Sequence, residues 1–259
     1  MRFDILTLFP GLFDSVFRES IVGRAQAEGL VEIHLHNIRD YALDKHHVTD
    51  DTPYGGGGGM VMKVEPILLA LEAVVGADLL SQQKASGQVQ VPIVLLTPAG
   101  ALFDQPLART FEEYGRIVLI CGRYEGVDER ISQLAVTHEI SIGDYVLSGG
   151  EIPAMVVVET VSRLVPGVLG DMRAVIDDSH SSGLLEYPHY TKPATIRDLA
   201  VPEVLTSGDH AKIGRWRREQ ALLRTLQRRA DMLARATLSE RDKRYLASLD
   251  RPTDDENPA

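Results

Sequence analysis

Three loops hold the residues whose types and spacing could do chemistry. Ser141-Ile-Gly-Asp-Tyr-Val-Leu-Ser-Gly-Gly-Glu-Ile-Pro153 leads into a helical stretch, and Gly149 and Gly150 remove side chains that would keep a ligand from the backbone. Cys121-Gly-Arg-Tyr-Glu-Gly-Val-Asp-Glu-Arg130 follows an apolar run, with Arg123, Tyr124 and Glu125 crowded between Gly122 and Gly126 and with Asp128 placed to cap the next helix. Tyr54 to Met60 contains an unbroken run from Gly55 to Gly59, which permits close backbone approach but lacks the Lys-Ser/Thr ending of a phosphate-cradling loop. No G-x-G-x-x-G follows the first strand, so an ordinary dinucleotide site is excluded. No G-x-S-x-G declares a nucleophile, which leaves acyl transfer a poor candidate. His34 and His36 share one strand face, yet no third ligand at metal spacing accompanies them. What remains is a set of glycine turns that offer backbone donors and acceptors to a ligand.

These loops need elements to position them. Arg2–Leu8 and Val31–His36 alternate polar and apolar residues and read as strands. Val91–Leu96 and Arg116–Cys121 are short continuous apolar runs, the pattern of strands covered on both faces, and Phe103–Tyr114 between them reads as a helix. Strands alternating with helices imply an α/β fold with a mostly parallel sheet, whose ligands sit outside the carboxyl ends of the strands. Those ends are Thr97-Pro98, Gly122-Arg123 and the loop after Ile142. Leu80–Gln90 is polar and turn-rich and reads as an exposed loop. Residues 171–182 lose periodicity as an interdomain linker would, which leaves 1–170 as the large domain, 183–250 as a small one and 251–259 as a disordered acidic tail.

Composition sets the class. The chain has 259 residues and 44% hydrophobic content, enough for a full core and a second, smaller domain. No leader pattern begins it and no apolar run approaches a bilayer span, so a soluble, cytoplasmic protein is expected. Its single cysteine, Cys121, rules out an internal disulfide. A net charge of -10 argues against nucleic acid, but the stretch from His210 to Arg235 alone carries +6, leaving -16 elsewhere. Helical spacing puts Trp216, Leu223, Leu226, Ala230 and Leu233 on a packing face, and Arg217, Arg224, Arg228 and Arg235 on a basic one.

Taken together, Asp50–Met60, Cys121–Arg130, Ile142–Met155 and Ser162–Gly170 resemble the bacterial tRNA (guanine-N1)-methyltransferase family of the SPOUT class. Beyond the linker, Asp178-Ser179, Gly183–Pro193, Val201–Gly208 and Ile213–Arg217 continue the resemblance in the same order. It implies a SPOUT-type sheet with a C-terminal trefoil knot, a small mainly α-helical tRNA-binding domain, an obligate homodimer with its active site at the subunit interface, and S-adenosylmethionine as methyl donor. Carried over position by position, the donor pocket is Leu96, Thr97, Pro98, Gly122, Tyr124, Ile142, Gly143, Asp144, Tyr145, Val146, Leu147, Gly149, Gly150 and Pro153. Asp178 stands at the position of the base that takes the guanine N1 proton, and Arg163 at that of the cation facing O6. Glu125 is a supporting carboxylate that holds or positions magnesium, whose full ligand set stays unknown. The implied target is guanosine at position 37, immediately 3′ of the anticodon. Read without the resemblance, Asp178 is a solvated linker acid and Arg163 a helix-surface cation. Asp177 competes with Asp178 for the base position, and Thr52, Gly58 and His180 depart from the family pattern, which common members fill with arginine, proline and phenylalanine. Two other readings stay open: a knotted methyltransferase acting on ribosomal RNA, and a non-catalytic RNA-binding protein.

Overall fold

A computed structural model of the chain describes residues 1–170 and 178–249. They belong to two compact units, Met1–Gly170 and Asp171–Ala259. Asp177 and the acidic tail lie outside the described residues.

The first unit contains strands β1 (Arg2–Thr7), β2 (Glu32–Asn37), β3 (Asp50–Asp51), β4 (Val61–Met62), β5 (Ile93–Leu102), β6 (Arg116–Cys121) and β7 (His138–Ser141). Its helices are α1 (Asp14–Arg18), α2 (Ser20–Ala27), α3 (Val64–Val75), α4 (Ala77–Ser86), α5 (Gln105–Glu113), α6 (Arg130–Leu134) and α7 (Glu151–Ser162). The main sheet runs β2-β1-β6-β5-β7 and every pairing in it is parallel. Successive residues of a strand face opposite ways. Leu6, Ile93, Leu95, Val118 and Ile120 therefore share one face, where they join Ile67 and Leu71 of α3, Leu80 of α4 and Ile131 of α6 in a single buried cluster. Alternate residues Phe3, Ile5, Ile117 and Leu119 are equally buried on the other face, where α7 touches β1 and β6.

The structure adds one feature to the sequence reading and changes two expectations. The strand read over Arg2–Leu8 forms, and its polar residues Asp4 and Thr7 are fully buried because β1 is an interior strand. Asp4 is satisfied there by Arg2, Arg116 and His36 at 2.9 to 3.0 Å. Burial alone would raise its pKa, but hydrogen bonds from His36 and Arg2, with Arg116 beside them, hold it well below the usual carboxylate range. Second, the stretch 80–90 is largely helix rather than loop. Residues 77–86 form α4, which closes on Gly87 in the left-handed conformation. The polar side chains are used inward: Gln83 accepts from the backbone of Gln90 and Val91, and Lys84 donates to the Ser132 and Val136 carbonyls. Third, β5 continues past Leu96 to Leu102, because a register shift lets both Leu96 and Ala101 pair with Ile140.

The second unit contains the short hairpin β8 (Thr195–Ile196) and β9 (Leu199–Ala200), then α8 (Glu203–Thr206), α9 (His210–Arg228), α10 (Ala230–Leu233) and α11 (Glu240–Leu249). Asp209 caps α9 by accepting from the amides of Ala211 and Lys212. The packing face differs from the one predicted: Ala221, Leu222 and Thr225 are buried, while Leu226 is exposed. Thr225 can be buried because its hydroxyl donates to the Ala221 carbonyl at 2.7 Å and accepts from the Leu185 amide at 2.9 Å. The helix also breaks at Arg229, where φ is -144°, so Ala230 and Leu233 are not in phase with α9.

Candidate active site

A cavity of about 460 Å³ opens at the carboxyl ends of β5, β6 and β7, a size that accommodates a small organic ligand. Three loops wall it, and each is shaped by a local constraint. The excursion of β5 between its two pairings with Ile140 lifts Thr97, Pro98 and Ala99 out of the sheet. Gly100 lets the strand return, since a Cβ there would run into the backbone of Glu139 and Ile140. After β6, Gly122 and Tyr124 line the cavity, and Tyr124 adopts a left-handed backbone at φ 62°. That conformation costs a residue with a Cβ roughly 1 to 2 kcal/mol, the kind of strain that collects at ligand loops. After β7, Ser141 and Gly143 bond to each other, and the Tyr145 hydroxyl donates to the Ile142 carbonyl at 3.1 Å. Gly150 presses against Cys121 and Gly122 with its amide on the Gly122 carbonyl at 2.9 Å, leaving no room for a Cβ.

The glycine-rich stretch is attached to this wall. Glu125 donates its amide to the Met60 carbonyl, Met62 donates to Gly126, and Asp128 donates to Met62. Gly59 leaves space that the Glu125 side chain occupies. Residues 55–60 thus abut the cavity loop rather than forming a phosphate cradle.

Beneath the cavity sits a cluster that sequence reading missed. Glu151 opens α7, and its carboxylate is 1% exposed. Thr7 Oγ1 donates to Glu151 Oε1 at 2.8 Å, and Arg123 Nε lies 2.9 Å from Oε2, an ion pair without the alignment of a hydrogen bond. The Arg123 guanidinium also stacks 4.5 Å over the Phe9 ring and donates to the Ser148 carbonyl. A carboxylate in the first turn of a helix gains from the helix dipole. This clamp joins β1, the loop after β6 and the loop before α7. Burial pushes the Cys121 thiol well above its ordinary range, with Glu151 adding to the shift, so it is no nucleophile. Position in the sequence could have flagged Glu151, which follows the Gly149-Gly150 pair, but the partners come from residues 7, 9 and 123.

Most of the predicted donor residues converge. Leu96, Thr97, Pro98, Gly122, Tyr124, Ile142, Gly143, Tyr145, Val146, Leu147, Gly149, Gly150 and Pro153 all line the cavity, as does Glu125. Asp144 lies between two of them without lining it. Glu129, Ser132 and Glu139 line it too and were not foreseen. Arg163 caps the carboxyl end of α7. Ten helical steps of 1.5 Å put it about 15 Å along the axis from Pro153. Asp178 belongs to the second unit, part-buried, at the head of a turn in which its carbonyl accepts from Ser181 and Ser179 Oγ accepts from Glu186. His36 is committed to Asp4, and His34 lies 3.4 Å from Glu32.

A family model described as "tRNA (Guanine-1)-methyltransferase TrmD" matches residues 1–235. The chain belongs to this family. It is 51% identical over 258 residues to a tRNA (guanine-N(1)-)-methyltransferase of Dehalococcoides mccartyi, covering 100% of this chain and 99% of the relative. To the protein of the same name from Chloroflexus aggregans it is 56% identical, covering 91% and 89%, and to that of Thermomicrobium roseum 53%, covering 95% and 88%. The members it resembles are methyltransferases, which gives the glycine-walled cavity a chemical class. Among the described residues, no helix is long and apolar enough to cross a membrane.

Proposed function

We propose that this chain methylates N1 of guanosine at position 37 of tRNA, with S-adenosylmethionine as donor and with the active site completed between two copies of the chain. The observation that carries the reading is the cavity of strand ends and glycine turns in a chain of this family. Backbone donors and acceptors at Leu96, Thr97, Ile142 and Leu147 suit the edge of an adenine, and the glycine turns admit it closely. When bound, the donor supplies an electrophilic methyl group on a sulfonium.

The residues then divide the work. Asp178 takes the N1 proton, because the neutral guanine nitrogen has no lone pair free in the ring plane for attack. As negative charge spreads to O6, Arg163 holds it, an interaction stronger in the transition state than in the ground state. Glu125 supports this arrangement from the cavity wall. Magnesium asks for several convergent oxygen ligands. Among the described residues of one copy, no group of three or more His, Cys, Asp or Glu converges, so Glu125 is the one residue proposed to hold or position the ion.

A second copy is supported by an apolar face. Phe9, Leu12 and Val16 are exposed, and so are Ile152 and Val156 on α7, which contacts the segment carrying Leu12. Such a face fits an isologous interface. The C-terminal trefoil knot of the sheet domain belongs to the same proposal, and the tight approach of Gly150 to Cys121 and Gly122 supports it.

Labelled methyl transfer to unmodified tRNA transcripts tests the activity. A transcript with guanosine at the target is labelled and one with adenosine is not. Asp178→Asn lowers the rate by about 100-fold or more. Equal labelling of both transcripts sinks the specificity, and an undiminished rate in Asp178→Asn sinks the assigned base.

A further inference from the structure

One edge of the second unit gathers aromatic rings and cations that the chemistry above does not use. Residues 184–190 are fastened to α9 at successive points. Leu184 packs with Leu222, the Leu185 amide donates to Thr225 Oγ1, and Arg224 donates to the Glu186 carbonyl at 3.3 Å. The Arg217 guanidinium lies 4.9 Å over the Tyr187 ring, and the Tyr190 ring stands 6.3 Å from that of Trp216. His189 tilts against Tyr187 at 4.9 Å while its Nε2 reaches Glu186 at 2.8 Å.

These rings are not the unit's core. That core is Leu184, Ala221 and Leu222, whereas Tyr190 is 49% exposed and His189 is also open to solvent. Tyr190 is exposed and Trp216 beside it is half-buried, so ring surface of both stays open to a flat ligand. Cations flank the pair: Lys192 follows Tyr190 by two residues, and Arg215 and Arg217 bracket Trp216, all three exposed. Flat apolar faces with positive charge on either side match a ligand that has flat rings on a polyanionic chain. Bases inside a duplex are already stacked, so the ring faces serve an unpaired base.

We infer that Tyr190 and Trp216 form a stacking platform for an unpaired nucleobase of the RNA substrate, with the adjoining phosphates on Lys192 and Arg215. The inference rests on the tRNA reading above and adds a point of RNA contact on the second unit. The segment leading to Tyr190 is fastened to α9 at Leu185 and Glu186, which limits the backbone freedom lost on binding.

Trp216 is the only tryptophan in the chain, so its fluorescence reports the site directly. The full-length protein is titrated with an anticodon stem-loop RNA and, separately, with inorganic polyphosphate, which has the charge but no bases. RNA quenches Trp216 and polyphosphate does not. Tyr190→Leu weakens RNA binding by about tenfold, and Tyr190→Phe restores it. The salt dependence of Tyr190→Leu stays that of the wild type, since no phosphate contact is lost. Equal quenching by polyphosphate, or a Tyr190→Leu affinity within about twofold of wild type with its fold verified by circular dichroism, overturns the platform. Wild-type methyl transfer is assayed in parallel. If it is absent while RNA still quenches Trp216, the proposed activity fails and the platform stands.

Discussion

Each unit of the molecule has an arginine–carboxylate pair that joins segments far apart in sequence, and the two pairs differ in their surroundings. Arg123–Glu151 lies under the cavity with side chains 20% and 1% exposed, backed by Thr7 and Phe9. Arg218–Asp242 holds α9 to α11 with its arginine 40% exposed, beside a core that among the described residues has three buried apolar members. In the first unit the sheet already provides the stability, and the ion pair fixes the outline of a cavity. In the second, the pair is itself a main fastening between helices. Rigidity is concentrated where a small ligand must be shaped around, and the surface read here as facing RNA is left to exposed rings and cations.

The comparison breaks most sharply at Glu151. Glu151→Ala leaves the Arg123 guanidinium and the Thr7 hydroxyl facing a void, and losing one partner of a buried pair costs about 3 to 5 kcal/mol. Urea unfolding measures it, and calorimetric titration of S-adenosylmethionine should show a weaker Kd in the same variant. A stability within about 1 kcal/mol of wild type would mean that the pair behaves as a surface one.

A second buried carboxylate in the first unit, Asp4, sharpens the point through pH. Its pKa is depressed by His36, Arg2 and Arg116, so its contribution is fully present above the ordinary carboxylate value of about 4 and is lost as pH falls through its own lower value. Asp4→Asn loses about 3 kcal/mol at neutral pH. Its stability should then decline less steeply than wild type between neutral and strongly acid pH, and an unchanged acid limb would remove Asp4 from that role.

The smallest effect belongs to the second unit. Asp242 is lowered to about 2 by its hydrogen bonds from Arg218 and Ser239, so its contribution persists until the pH drops through that value. With a half-open partner, Asp242→Asn costs about 1 kcal/mol, and added salt should narrow the gap. If the loss exceeds that of Glu151→Ala, the contrast between the units is wrong.

Much of the fold was legible because the apolar runs of β5 and β6 and the glycine turns after them are local signals. Loops at strand ends were identified from those signals alone, and the resemblance put residue names on them. What was hidden depended on partners distant in the chain. The burial of Asp4 follows only once β2 and β6 flank it, and Lys84 and Gln83 looked like loop residues because the carbonyls and amides they satisfy lie elsewhere. The α9 face was misjudged because a buried threonine reads as polar until the Leu185 amide is found beside it. Arg163 and Asp178, proposed as cation and base, rest on the resemblance alone: composition and spacing around them carry no chemical pattern.

The double use of Ile140 by Leu96 and Ala101 has a consequence for how such a cavity can change over generations. Because the sheet picks up at Ala101 opposite the residue where it left off, residues 97–99 form a length of wall outside the strand pairing. Insertions or deletions in that span would resize the cavity while every strand keeps its neighbour. Ligand choice could thus drift by chain length alone, independently of the side chains that hold the sheet together.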